Sequence, residues 1–569
     1  MDASLVQALQ KPIVSPDGRF LAVVNGDDAI RVVRLSNTGA NRPGFIVTRV
    51  IIPASARQLV RQSHLLRWSP EAVLNQGLHV DSPTIQETET VLLLFSNGKR
   101  AVVLSLDLSS LGHGNTNFVE EDATASIVAD YQLGDQFGRL KFLDFVLGHR
   151  HALAMFEFSP NAIMLDLTQP QRVELAGVKY SDAKGFAKAT DSHRFALLRR
   201  ERGQDKITVF DIDGNHQILP KSFDIHTSDA QGLMFCPNGS PLMAVWDSAS
   251  YGVKVLFYTG QGHALKQLDI TPEHVTLGKQ PLDVHGIGLT CWQWQRGIGQ
   301  TLQAVGDGTK HVMVRYQMDA SMKVRTLANF VHPDIINGGE TIVWQEMQTP
   351  SSPLSSWKRE SSVFSATNGE PDTPTGSHVE SIQVNCDHSL IATKIRGFNT
   401  ALWIWQPSHD EPYVVLLFKN PIKTILWHPE LPTVLIILTT QHAATLYAWH
   451  QADLPPISGT VFPDVQDSGS GSNKSSLAPK HTAAWLPSAS CDSGRVPLLF
   501  SSQGTFDIGL LRYSDGTLAF ESLLRLGDNY HGDFTFTNNI DDSNLDTPSK
   551  IRERVRPNVI EFRQDPSLW

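Results

Sequence analysis

One phrase recurs along most of the chain: an apolar strand, a turn, a second apolar strand, a polar turn, and a third strand ending in an aromatic. Such repetition constrains the fold more than any single motif, because a repeat unit buries its apolar face only against its neighbours. The clearest copy runs from Ile13 to Leu35, where Asp17 and Gly18 supply turn chemistry and FLAVV and IRVVRL read as strands. Further copies start at Leu66, Phe145, Gly185, Gly232, Gly286, Ser381, Thr424 and Ala483, making nine units.

A period of roughly 40 to 60 residues with about four short strands per unit predicts an all-β propeller, in which sheets pack radially. The count favours one ring of eight or nine blades over residues 11–515, a seven-bladed ring with extra docked repeats being the alternative. Polar stretches rich in Pro, Ser and Gly at 349–378, 467–480 and 527–549 read as loops or insertions. Residues 516–569 read as an acidic, polar tail, within which Val559 to Arg563 is a candidate ring-closing strand. Deleting Val559 onward is then expected to lower thermal stability sharply.

With 41% apolar residues and 19% charged, the composition is that of a folded chain. The formal charge is -10 and the basic residues are scattered; RRER at 199–202 and KIRERVR at 550–556 are both interrupted by Glu and read as solvated surface. This argues against a nucleic-acid or anionic-membrane partner. Cys236, Cys291, Cys386 and Cys491 lie too far apart for a zinc or redox motif and read as reduced, inert thiols. The start, MDASLVQALQKP, lacks a basic stretch followed by an apolar core, so a soluble, intracellular location is expected.

The sequence offers no catalytic constellation: GxSxG, HExxH and GxxxxGKS are all missing, and no cofactor or metal is expected. His149 and His151, two apart, would share a strand face but have no third ligand nearby. Trp292, Trp294, Trp403, Trp405, Trp427 and Trp449 fall in blade strands and read as core. Thr349, Ser352, Thr373 and Thr547 precede prolines in the polar stretches and are candidate phosphosites.

Three segments are more specific than the repeat. In the fifth unit the pattern is Thr227, Asp229, Gly232, Pro237 to Gly239, Ala244 to Asp247, Tyr251, Lys254 and Tyr258. After the sixth unit it is His332, Pro333, Ile336, Asn337, Ile342, Val343 and Glu346, and in the seventh Ala392, Thr393, Asn399, Ala401, Trp403 and Trp405. These resemble the WD-repeat protein eight family, the WRAP-type proteins of centrosomes and spindle poles. The resemblance implies a non-enzymatic scaffold in the cytoplasm and cytoskeleton. Such a scaffold joins a coiled-coil adaptor of the SSX-interacting type and, in fungi, a minus-end-directed kinesin, anchoring microtubule minus ends. An acidic chain gains little from direct contact with the acidic microtubule lattice, so a partner is expected to make that contact. Asp247, Tyr251 and His332 are the candidate contact residues, with backbone hydrogen bonding at turns as the competing role for Asp247. A propeller translation-initiation factor is the rival reading.

Overall fold

The computed structural model describes residues 12–526, leaving out segments between elements, of which 76–87, 108–120, 366–378 and 462–480 are the longest. Of residues 268–329 it describes the backbone only, again with gaps. Among the described residues nine sheets with four or more strands follow one another, their antiparallel strands at 13–51, 65–132, 140–175, 186–224, 230–270, 288–331, 379–417, 422–460 and 482–526. Each of the nine sequence units falls in one sheet, and we number these blades 1 to 9.

The inner strands are apolar runs rather than alternating patterns, and burial explains why. Phe20–Val24, His151–Phe156, Ala401–Trp405 and Leu435–Thr439 are buried at every residue, since each sheet is covered on both faces by its neighbours. Outermost strands face water on the rim: Gln171–Leu175 and Ile218–Asp224 are largely exposed.

The blades close into one ring. Apolar clusters join blade 1 to 2, 2 to 3, 3 to 4 and 4 to 5, and others join 7 to 8 and 8 to 9. The backbones of blades 5 and 6 lie against each other, and Phe330 at the end of blade 6 packs on Trp405 of blade 7. The seam between last and first blades is a cluster in which Leu21, Val33 and Phe45 meet Leu499, Phe506 and Leu524. At about 1.5–3 kcal/mol per buried large side chain, such a cluster outweighs the roughly 0.5–1.5 kcal/mol of any single hydrogen bond at a sheet edge.

Turn chemistry follows the sequence in blade 1. Gly18 has φ 71°, Asp17 Oδ1 accepts from Arg19 N at 3.1 Å, and Ser15 Oγ accepts from Phe20 N at 2.9 Å. In blade 3 the phase differs: Ser159-Pro160 joins the second and third strands, while Leu147 to Arg150 forms the first turn. In blade 8 the first turn is held by His428, whose Nδ1 accepts from Glu430 N at 3.1 Å and Leu431 N at 3.0 Å. Burial pushes this imidazole down to about 4.

The sign follows from linkage. Between about pH 6.5 and 4 the unfolded chain binds a proton at His428 that the folded chain refuses. Stability conferred at neutral pH is therefore lost at about 1.4 kcal/mol per pH unit as the pH falls through that window. His428→Asn, which keeps an acceptor in place, is expected to flatten this part of the acid-stability curve; parallel curves for the two proteins would overturn the assignment.

Four features depart from the sequence reading. Blade 9 extends beyond residue 515, because Thr517–Leu526 pairs with Thr505–Ser514. The stretch 349–378 is not all loop, since Ser356–Glu360 and Val363–Ser365 are strands paired to the preceding linker. A helix, Ala54–Gln62, lies between blades 1 and 2, burying Ala56, Leu59 and Val60 at helical spacing. Two blades also gain a parallel strand at the rim: Glu121–Thr124 beside Gly44–Ile51, and Ile342–Met347 beside Pro412–Leu417. The segments 467–480 and 527–569, with the candidate closing strand at 559–563, lie outside the described residues. Among the described residues no helix is long and apolar enough to cross a membrane.

Candidate partner-binding face

Strand direction alternates within a blade, so the turn between its second and third strands lies at the same end as the connector from the preceding blade. At blades 3 to 5 these turns and connectors are tied into one network. In the connector from blade 3 to 4, Val178 N donates to Pro160 O at 2.7 Å, in the turn that carries Phe158. Further on, Lys179 N donates to Leu198 O at 3.0 Å and Arg200 N to Gly177 O at 2.8 Å, tying the same connector to the strand that leads into the Arg202 turn of blade 4.

Beneath the connector lies a buried charge cluster. Lys179 Nζ reaches Asp205 Oδ2 at 2.8 Å, Asp229 Oδ1 at 2.7 Å and Ala230 O at 2.8 Å, with only 6% of its side chain exposed. Asp205 also accepts from Ala230 N at 2.7 Å. Tyr180 donates its hydroxyl to Ala230 O at 3.0 Å. Burial, then the carboxylates of Asp229 and Asp205, push its phenol up to about 12, so it remains a donor throughout the physiological range. The sequence marked Asp229 but not Lys179 or Asp205, because pairing across two blades leaves no local pattern.

Asp247 ends the second strand of blade 5 and is fully buried. Its carboxylate accepts from Ser228 N at 2.8 Å, Asp229 N at 2.6 Å and Ser248 N at 3.0 Å, with Lys254 Nζ at 3.9 Å. It is therefore a structural brace of the connector between blades 4 and 5, the competing role anticipated for it. Tyr251, four residues on, is 58% exposed, and its N–H donates to Ser248 O at 2.9 Å. Gly232 is explained by Trp246: a Cβ there would meet the indole ring at 2.2 Å.

His332 is also interior. Its Nε2 lies 2.7 Å from Thr393 Oγ1, which accepts from Trp405 Nε1 at 2.8 Å, and its ring meets Trp403 and Trp405 edge-on. Glu346, on the added parallel strand, accepts from Lys419 N at 2.9 Å and from Tyr447 Oη at 2.7 Å. The linker motif thus fastens the outer edge of blade 7 and its junction with blade 8. Thr393→Val is expected to cost about 2 kcal/mol, because it strips the hydroxyl from two buried partners. A melting temperature equal to wild type would contradict that role.

Of the three candidate contact residues, then, the structure leaves Tyr251 exposed and buries the other two. Trp403, Trp405, Trp427 and Trp449 are buried in blade interiors, whereas the side chains of Trp292, Trp294 and Cys291 lie outside the description. Cys236 is buried and Cys386 exposed. His149 sits in a turn and only His151 in a strand, so the pair does not share a strand face. Among the described residues no group of three His, Cys, Asp or Glu residues is placed to hold a metal ion. Thr349, Ser352, Thr373 and Thr547 lie outside the described residues.

A closed ring of four-stranded blades, braced by buried polar links between connector and blade, is a WD-repeat propeller. No family model matches the chain. By sequence it is similar to WD-repeat proteins: it is 22% identical over 333 residues to the WD repeat-containing protein WRAP73 of Mus musculus, and 22% identical over 284 residues to an uncharacterized WD repeat-containing protein of Schizosaccharomyces pombe. These matches cover 53% and 48% of this chain, and 65% and 54% of the two relatives' own lengths. Among solved structures, Sqt1 of Saccharomyces cerevisiae superposes with a TM-score of 0.40 at 8% identity, over 77% of this chain and 94% of that one.

Proposed function

We infer that this protein is a non-enzymatic interaction scaffold of the spindle pole or centrosome. In this reading it anchors microtubule minus ends through a coiled-coil adaptor of the SSX-interacting type and a minus-end-directed kinesin. The observation that carries the reading is the match to WRAP73, together with the three segments resembling the WRAP-type family. Residues from all three serve as braces of the ring, at Asp247, His332 with Glu346, and Thr393 with Trp405. Rigid propellers present loops on a fixed frame, an arrangement suited to holding several partners at once.

The test is affinity purification of the tagged full chain from mitotic cells. Recovery of coiled-coil and kinesin subunits is the expected result. Co-purification of ribosomal subunits instead would favour the translation-initiation reading, and recovery of neither class would sink both.

A further inference from the structure

The four non-glycine residues with positive φ among the described residues include Phe158, at 64°, and Arg202, at 50°. Each stands at the tip of a turn between second and third strands, in blades 3 and 4. That backbone region is disfavoured for any residue bearing a Cβ, and glycine would occupy it freely. Phe158 is also 93% exposed, so its ring gains nothing from the core that would offset the strain. The corresponding turn of blade 5 carries the exposed Tyr251.

These three turns form one connected surface. The connector bonded to Pro160 on one side and to Arg200 on the other joins the first two turns. Arg200 Nη1 reaches Asp229 at 3.4 Å, and Ser248 N donates to Asp229 O at 3.0 Å, which joins the second to the third. Neighbouring carboxylates are already engaged: Glu157 by Lys141 at 2.9 Å, Glu201 by Lys206 at 2.9 Å, and Asp229 by Lys179. Arg202 stands exposed on the turn between those that carry the exposed Phe158 and Tyr251.

We propose that Phe158, Arg202 and Tyr251 form a docking surface for an acidic protein segment that also carries apolar side chains. Its carboxylates pair with Arg202, and its apolar residues cover the two rings, the aromatic and arginine chemistry that dominates interface hot spots. The proposal rests on the scaffold reading above and assigns that function a place on the ring.

The probe is a labelled synthetic peptide in which Glu alternates with Leu and Phe, read by fluorescence anisotropy against the full chain. Its controls are a Lys-for-Glu peptide, a Ser-for-Leu/Phe peptide and a single-stranded DNA. Preference for the Glu/Leu/Phe peptide is expected, with a loss of about tenfold in Phe158→Gly and in Tyr251→Ser. Phe158→Gly also relieves the strained backbone, so it should melt at or above the wild-type temperature, which separates lost contact from lost fold. Arg202→Glu is expected to shift preference toward the Lys peptide. Undiminished binding by Phe158→Gly and Tyr251→Ser, or equal binding of DNA, overturns the surface. Either result leaves the scaffold reading to the purification, which depends on no particular face.

Discussion

Replacing Lys179 with Met is expected to cost about 3–5 kcal/mol, the usual effect of removing one partner from a buried ion pair. Lys179 is the cation nearest to Asp205, whose side chain is 1% exposed; Arg200 Nε stands farther off, at 3.8 Å. The methionine fills the space but leaves a buried carboxylate without its nearest charge, and it also frees the carbonyl of Ala230 from a donor. Pairing Lys179→Met with Asp205→Asn should recover a substantial part of the loss, because the orphaned charge is then gone. Thermal melts of the wild type, both single variants and the double variant give the coupling directly. Additive losses would mean that the two side chains act independently, contrary to the 2.8 Å contact.

The second large effect is at the ring seam. A chain ending before Thr517 loses the outer strand of blade 9 and with it Leu524, which is 2% exposed in the cluster shared with blade 1. It also loses Ser522 and Arg525, each 2.7 Å from Asp507, a carboxylate with no exposure of its own. Burial pushes the Asp507 carboxyl up, and its two partners counter that effect only in part. The combined loss is on the order of 5 kcal/mol or more, comparable with the whole net stability of a typical domain. Such a chain is expected to aggregate, whereas one ending at Leu526 keeps every described contact. A third chain, ending at Asn558, tests the sequence-based expectation that Val559 to Arg563 closes the ring. Matching melts for the chains ending at 526, at 558 and at 569 would dismiss it, and a folded chain lacking Thr517 onward would dismiss the seam.

The blades were legible in sequence because sheets covered on both faces require runs such as FLAVV and ALWIW. The edge strands were not. Ile342–Met347 reads as an ordinary strand, and nothing in its residues announces that it will lie parallel to a strand some seventy positions later. The helix Ala54–Gln62 did leave a signal, in the spacing of Ala56, Leu59 and Val60, but the surrounding strand grammar masked it. For the candidate face, Tyr251 emerged from the family pattern, whereas Phe158 was indistinguishable from a core residue. Its exposure depends on a local backbone conformation that no periodicity encodes.

Blade 1 takes its four antiparallel strands from 13–51 and blade 9 from 482–526, so the antiparallel core of each blade forms from residues near in sequence. This has a kinetic consequence. The antiparallel core of each blade can form soon after its own residues leave the ribosome, and only the rim strands Glu121–Thr124 and Ile342–Met347 pair across longer stretches, which keeps loop-closure entropy low until the last step. Only the side-chain contacts between the ends of the ring span most of the chain. Ring closure should therefore be a late, discrete folding event, and the open arc that precedes it is the species most in need of protection from its neighbours.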